Sequence, residues 1–296
     1  MGNRVMGYRF KRSDPDIASA LRRIAKDQID KAIASANRDD DLHQGIHDAR
    51  KKCKKLRGLF RLVRPAFPGY MVENAALRDA ARHLAALRER GAGLETLDRL
   101  LAARPDDIDH IAAETLRAAL NRRASAGAAE DLEARLVAFR SDLEACHARS
   151  AGWTLDKTGF SALGDGLHDT YIGSRKKMVI ARRSRSPEDL HAWRKQVKYV
   201  WYHARLLKPI KAAKIKHRSA QAHILSDLLG DHHDLVDFRI LLESGTLPGA
   251  ASAALLAPTA TEMARLENAA FDLGRKLFAK KPKADLEQWR KWWKSW

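Results

Sequence analysis

Two segments of the sequence carry cationic side chains at the same spacing. Relative positions 0, 3, 7, 10 and 14 are held in the first segment by His47, Arg50, Lys54, Arg57 and Arg61. The same positions are held 144 residues later by His191, Arg194, Lys198, Trp201 and Arg205. Arginine can fork two phosphate oxygens, while lysine supplies an adjustable point charge. The spacing therefore predicts a polyanion-binding surface, in which we include the adjacent Lys51 and Lys195.

A helix is the element that would point these side chains the same way. At roughly 100° per residue, the five positions occupy a strip about 80° wide on one helix face. The far side of the first helix is apolar, with Ile46, Ala49, Cys53, Leu56, Leu59, Phe60 and Val63. The far side of the second has Leu190, Trp193, Val197, Val200, Ala204 and Leu207. Each helix is thus predicted to have a buried back and a cationic front.

The charge on the first of these helices is one-sided. Between residues 43 and 64 the only acid is Asp48, whereas an ordinary solvated helix mixes signs and places Glu four residues from Lys. A solvated outer face is the simplest alternative, but recurrence of the pattern in the same register argues against it. The whole chain has 55 Lys and Arg against 37 Asp and Glu, a formal charge of +18 that attracts anions.

The rest of the sequence predicts an all-α protein, because strong helix formers dominate and period-two alternation is nearly absent. Helices are expected over residues 15–37, 41–64, 69–90, 160–184, 187–208 and 211–230, with the first capped by Ser13 and the third ended by Gly91-Ala-Gly93. A connector is expected at 152–159 and a breaker-rich stretch at 245–258. The predicted organisation is a basic N-terminal tail (1–13), a first helical half (14–150) and a second helical half (157–296), related by an internal repeat.

The paired motifs resemble a known family. His47-x-x-Arg50-x-x-x-Lys54-x-x-Arg57 and His191-x-x-Arg194-x-x-x-Lys198 are similar to the twin signature of the CHAD domain, the conserved histidine α-helical domain. Further similarity lies in Leu21-Arg-Arg-Ile24, Tyr171-x-x-x-Arg175 and Leu229-Gly-x-x-x-Asp234. The resemblance implies two pseudo-symmetric helical bundles whose basic residues line a shared groove for inorganic polyphosphate. It also implies association with polyphosphate granules.

Two departures from the family pattern concern how much each half contributes to ligand binding. The second copy has Trp201 where the first has Arg57, and the first half has Leu84-Ala-Ala-Leu-Arg-Glu89 in place of the Leu-Gly-x-x-x-Asp motif. Equal contributions from the two halves are therefore not expected. Other cations that could extend the groove are Arg22, Arg23, Lys26, Arg78, Arg82 and Arg175.

Two other functions compete with polyphosphate binding. The dipeptides His47-Asp48 and His168-Asp169, with His232-His233-Asp234, are compatible with a metal-dependent phosphohydrolase, but Asp48 points about 100° away from His47 on a helix. A nucleic-acid binder, or a binder of other polyanions, is allowed by the charge, although no helix-turn-helix or RNA-recognition motif is evident. We expect no catalytic residue, no metal ligand and no cofactor.

The compartment is predicted from two further features of the sequence. Cys53 and Cys146 lie inside helical patterns and not at disulfide or metal-site spacing. The basic N-terminus lacks an apolar core, and no stretch approaches 18 uncharged apolar residues. The sequence therefore predicts a cytoplasmic protein without a membrane span.

Overall fold

The chain is all-α, as predicted. A computed structural model describes residues 7–38, 41–125 and 132–296, and these ranges contain eleven α-helices and two short 3-10 helices. The α-helices are α1 (Ile17–Ala36), α2 (Leu42–Val63), α3 (Tyr70–His83), α4 (Ala85–Ala103), α5 (His110–Ser125), α6 (Leu132–Ser150), α7 (Ser161–Ser184), α8 (Pro187–Leu206), α9 (Ala212–Glu243), α10 (Gly249–Leu277) and α11 (Pro282–Lys294). The 3-10 helices span Arg64–Ala66 and Lys208–Lys211.

Side-chain caps start the two helices that carry the cationic strips. Asp41 accepts a hydrogen bond from the Gln44 amide at the start of α2, and Ser186 accepts one from the Asp189 amide at the start of α8. These capping side chains accept hydrogen bonds from backbone amides that have no partner within the first turn of the helix. The first helix differs from the prediction, because its cap is Asp16 and not Ser13.

Two predicted helix breaks, at Gly91–Gly93 and at Gly230, are absent, and the third is shorter than predicted, because α9 ends at Glu243 and α10 begins at Gly249. The third predicted helix divides at Leu84, and α4 continues through Gly91 and Gly93. A Cβ at Gly93 would lie 3.0 Å from Leu120 Cδ2, so the glycine permits close packing of α4 on α5. Likewise α9 runs through Gly230, and α10 begins at Gly249 and includes Pro258 inside the predicted breaker-rich stretch.

The hydrophobic cores cross the boundary between the two sequence halves. The first core joins α1, α2 and α6 to Tyr202 and Leu206 of α8. The second joins α4 and α5 of the first half to α9 and α10 of the second half, with Phe238 and Leu255 among its buried members. The halves 14–150 and 157–296 therefore share their apolar contacts, and the pseudo-twofold relation between them stays a prediction.

The segment predicted as a basic tail packs between the halves over the part that is described. Its first six residues lie outside the described residues. The Phe10 amide donates to the Leu206 carbonyl at 3.0 Å, and the Tyr8 hydroxyl donates to the Lys55 carbonyl at 2.8 Å. Both aromatic side chains are buried, so residues 8–10 connect α8 to α2.

Helices α2 and α8 cross at Gly58 and Tyr202, which are separated by the repeat offset of 144 residues. A Cβ at Gly58 would lie 2.8 Å from Tyr202 Cδ2, so this close approach requires glycine. Beside the contact, Nε2 of the buried His203 donates to the Gly58 carbonyl at 3.0 Å. Burial lowers the pKa of His203 to about 3, so the imidazole is neutral at neutral pH.

Candidate polyanion-binding groove

The two cationic strips meet in one cavity, which we call the central groove. It has a volume of about 440 Å³ and lies between α2, α8 and α9. Six of the predicted residues line it: His47, Arg50, Lys51 and Lys54 from α2, and Arg194 and Lys198 from α8. Arg50 and Lys54 stand 144 residues before Arg194 and Lys198, so equivalent positions of the repeat face one space.

Neighbouring helices fix the direction of the arginines. Nη1 of Arg50 donates to the Ala81 carbonyl of α3 at 2.5 Å. A Cβ at Gly230 would lie 3.3 Å from Arg194 Nη2, so the glycine in α9 leaves room for that guanidinium. The glycine of the Leu229-Gly motif thus keeps a groove cation in place without ending its helix.

A second basic cavity of about 550 Å³, which we call the lateral pocket, adjoins the central groove through Trp201 and His223. Its cationic lining consists of Arg9, Arg205, Lys208 and Lys216, with no carboxylate among its lining residues. The guanidinium of Arg205 lies 5.2 Å from the centre of the Trp201 ring, a cation–π contact. The tryptophan that breaks the second strip therefore orients the arginine four residues later.

A further cavity of about 480 Å³ adjoins the central groove on its other side. The two share Arg50, Arg194 and Asp234, and Arg123 adds another cation to the lining. Lining residues are thus shared along a series of three cavities that runs from α5 to the N-terminal segment. A long polymer would meet cations along this whole series.

The third wall of the central groove carries negative charge. Asp227, Asp231 and Asp234 line it from α9, opposite the five Lys and Arg side chains of α2 and α8, while a sixth cation, Arg99, reaches it from α4. Nη2 of Arg99 pairs with Asp234 at 2.8 Å and so ties α4 to α9. Burial raises the pKa of Asp231, Arg99 opposes the rise, and the other two carboxylates add to it. The cationic surface is therefore confined to the α2 and α8 side.

The two signature histidines occupy different environments. His47 lines the central groove, whereas the His191 ring packs against the His233 ring with centres 4.2 Å apart. Burial, followed by the charges of His233 and the nearby Lys and Arg side chains, lowers the pKa of His191 to about 4. The neutral form of His191 is therefore favoured in the ligand-free protein.

The comparison with family models agrees with this geometry. A model of the CHAD domain matches residues 20–243, more than half of the chain, including every residue that lines the central groove. The chain belongs to the CHAD family. Neither the curated proteins nor the solved structures give a match. Helices α10 and α11 of this CHAD protein lie beyond the matched residues.

Several predicted residues do not line the central groove of the CHAD domain. Arg22 donates to the Trp153 carbonyl at 2.7 Å, Arg23 pairs with Asp14, and Lys26 contacts His147. These contacts hold α1 against its neighbours. In α7, Arg175 donates to the Lys280 carbonyl at 2.6 Å.

The remaining candidates lie at the margin of the groove or outside it. Nε of Arg57 donates to Asn74 of α3 at 3.1 Å. Arg78 and Arg82, on the same helix, both pair with Asp79, and Lys195 is exposed outside the groove lining. Arg205 lines the lateral pocket, and Arg61 lines a separate pocket between α2 and α7.

Sequence reasoning missed four cations that line the central groove or the lateral pocket: Arg9, Arg99, Lys208 and Lys216. Only Lys208 left a signal, because it stands 144 residues after Arg64 and continues the repeat beyond Arg205. The other three reach the cavities from the N-terminal segment, α4 and α9, and no short-range spacing relates them to the strips.

The described residues give no support to a metal centre. Among the described residues, no group of three or more His, Cys, Asp or Glu side chains could hold a metal ion. The buried His232 lies 3.9 Å from Glu267 of α10. In the same part of the chain, no helix is long and apolar enough to cross a membrane.

Proposed function

We propose that this CHAD domain binds inorganic polyphosphate in the central groove without catalysing its cleavage, in the cytoplasm. The observation that carries the proposal is the convergence of Arg50 and Lys54 with Arg194 and Lys198 on one cavity. Association with polyphosphate granules follows as a part of the same proposal, because a granule would present the same ligand.

The chemistry of polyphosphate suits this arrangement. Each phosphate carries about one negative charge, and the polymer has no base edges, so binding requires a row of cations and no hydrogen-bond code. Residues seven apart on α2 rise about 10.5 Å along the helix, which spaces the cations along a chain. The lateral pocket adds four cations beyond the groove. The acidic wall on α9 limits the cationic surface to a narrow strip, which suits a single thin polymer.

The test is a titration of labelled long-chain polyphosphate into a groove variant and a charge-matched control. Lys54→Gln with Lys198→Gln removes one cation from each groove helix, and neither side chain is buried. The control, Lys291→Gln with Lys294→Gln, removes the same charge from exposed positions on α11. Loss of two charge-assisted contacts, about 1.5 kcal/mol or more each, should weaken binding at least tenfold in the groove variant. Equal affinities of the two variants would contradict the groove.

A further inference from the structure

Another basic pocket, separate from these cavities, lies between α2, α7 and α8, and we call it the α7 pocket. It has a volume of about 260 Å³ and shares no lining residue with the central groove or the lateral pocket. Its polar lining consists of Arg61, Arg64, Asp169, Thr170, Lys176 and Gln196. Polyphosphate binding in the groove gives this pocket no role.

The cations of the α7 pocket are not neutralised by the protein. Arg149 and Arg218 pair with the buried carboxylates of Glu73 and Asp285. By contrast, no ion pair joins Arg61, Arg64 or Lys176 to a carboxylate of the described residues. The Arg61 guanidinium instead lies 4.6 Å from the centre of the Tyr199 ring, and that of Arg64 lies 5.3 Å from the Tyr70 ring. Ring contacts orient these groups and leave their charge available for an anion.

A buried hydroxyl in the wall of the pocket also lacks a partner. Thr170 is 3% exposed, and its Oγ1 has no hydrogen bond within the described structure. Threonines in other helices donate to the carbonyl four residues earlier, as Thr96 and Thr259 do at 2.7 Å. An unsatisfied buried hydroxyl costs about 1–3 kcal/mol, and an acceptor oxygen that reaches it would remove this cost.

We propose that the α7 pocket binds a single phosphate group, either free or as a small monoester. Three cations and the carboxylate of Asp169 leave a net charge of about +2 on its lining, which matches the charge of a phosphate dianion near neutral pH. Arg61 and Arg64 can fork its oxygens, and Thr170 and Gln196 can donate to them. The pocket shares no lining residue with the central groove, so the two sites are distinct. The inference does not rest on polyphosphate binding.

The test adds inorganic phosphate to the protein in chloride buffer. It measures the rise in melting temperature and, by calorimetry, the affinity for phosphate. Arg64→Gln with Lys176→Gln changes two exposed side chains, so the variant should fold. It should weaken phosphate binding at least tenfold, whereas the groove variant Lys54→Gln with Lys198→Gln should keep binding at this site. Equal phosphate affinity of Arg64→Gln with Lys176→Gln and the wild type would overturn the proposal.

Thr170→Val provides a second readout that a purely structural role would not give. Valine has the same shape and removes the unsatisfied hydroxyl, so the ligand-free protein should melt at the same or a higher temperature, while phosphate affinity should fall several-fold. Unchanged phosphate affinity would contradict the role of this hydroxyl and the proposal with it.

Methyl phosphate titrated in parallel distinguishes the ligands: binding of phosphate alone indicates the free ion, and binding of both indicates a monoester. Binding of neither overturns the site.

Discussion

The salt dependence of polyphosphate affinity can be predicted from the cations that line the groove. Six Lys and Arg side chains line the central groove, and four more line the lateral pocket. For a flexible single strand, each neutralised phosphate contributes about −0.7 to the slope of log affinity against log salt. Six contacts give a slope of about −4, and ten give about −7. With six contacts, affinity should fall about 300-fold between 50 and 200 mM salt.

Replacing two groove cations should change the slope as well as the affinity. Lys54→Gln with Lys198→Gln leaves four cations in the central groove, so its contribution to the slope should fall from about −4 to about −3. Fluorescence anisotropy of end-labelled polyphosphate, measured at fixed pH over a series of salt concentrations, gives both slopes. A wild-type slope shallower than about −1, or identical slopes for the two proteins, would refute the electrostatic reasoning.

Three further predictions concern protonation and packing. The affinity for polyphosphate should rise as pH falls from about 8 to 6, because a bound anion favours protonated His47, and His47→Gln should remove most of this rise. His191→Gln should change the affinity only near pH 4, where burial places the pKa of His191. The pKa of buried His203 is about 3 in the folded protein and about 6.5 in the unfolded chain. The free energy of unfolding should therefore fall as pH drops below 6.5, by about 3 kcal/mol between pH 7 and pH 4. Urea unfolding of His203→Gln should show a smaller loss over the same pH range. Gly58→Ala should lower the free energy of unfolding by about 1–3 kcal/mol, because its Cβ would lie 2.8 Å from Tyr202 Cδ2, and an unchanged urea midpoint would contradict the tight crossing.

The sequence was sufficient for the family, the helical class and the centre of the groove. The two cationic strips and the facing pairs of the repeat depend on local spacing, which a single sequence displays. The glycines were misread for a physical reason. Gly93 leaves room for the side chain of Leu120, and Gly230 leaves room for that of Arg194. The local sequence around each glycine does not show such long-range contacts.

The cationic strip predicted on α2 also extends further along the helix than the part that lines the central groove. Arg61 shares the angular position of Arg50 on α2, yet α8 crosses α2 at Gly58 and separates the two arginines. Helical periodicity gives the direction of a side chain but not the element that covers it. Arg22 illustrates the same limit, because its partner is a backbone carbonyl 131 residues away.

Competition between polyphosphate and RNA tests the central claim most directly. Labelled long-chain polyphosphate is bound to the wild-type protein at physiological salt and displaced by unlabelled polyphosphate or by single-stranded RNA of equal phosphate number. A groove that recognises a narrow line of phosphates predicts that RNA requires at least a tenfold higher phosphate concentration for half-displacement. Displacement by RNA at the same phosphate concentration as polyphosphate would contradict the claim and identify a general polyanion site.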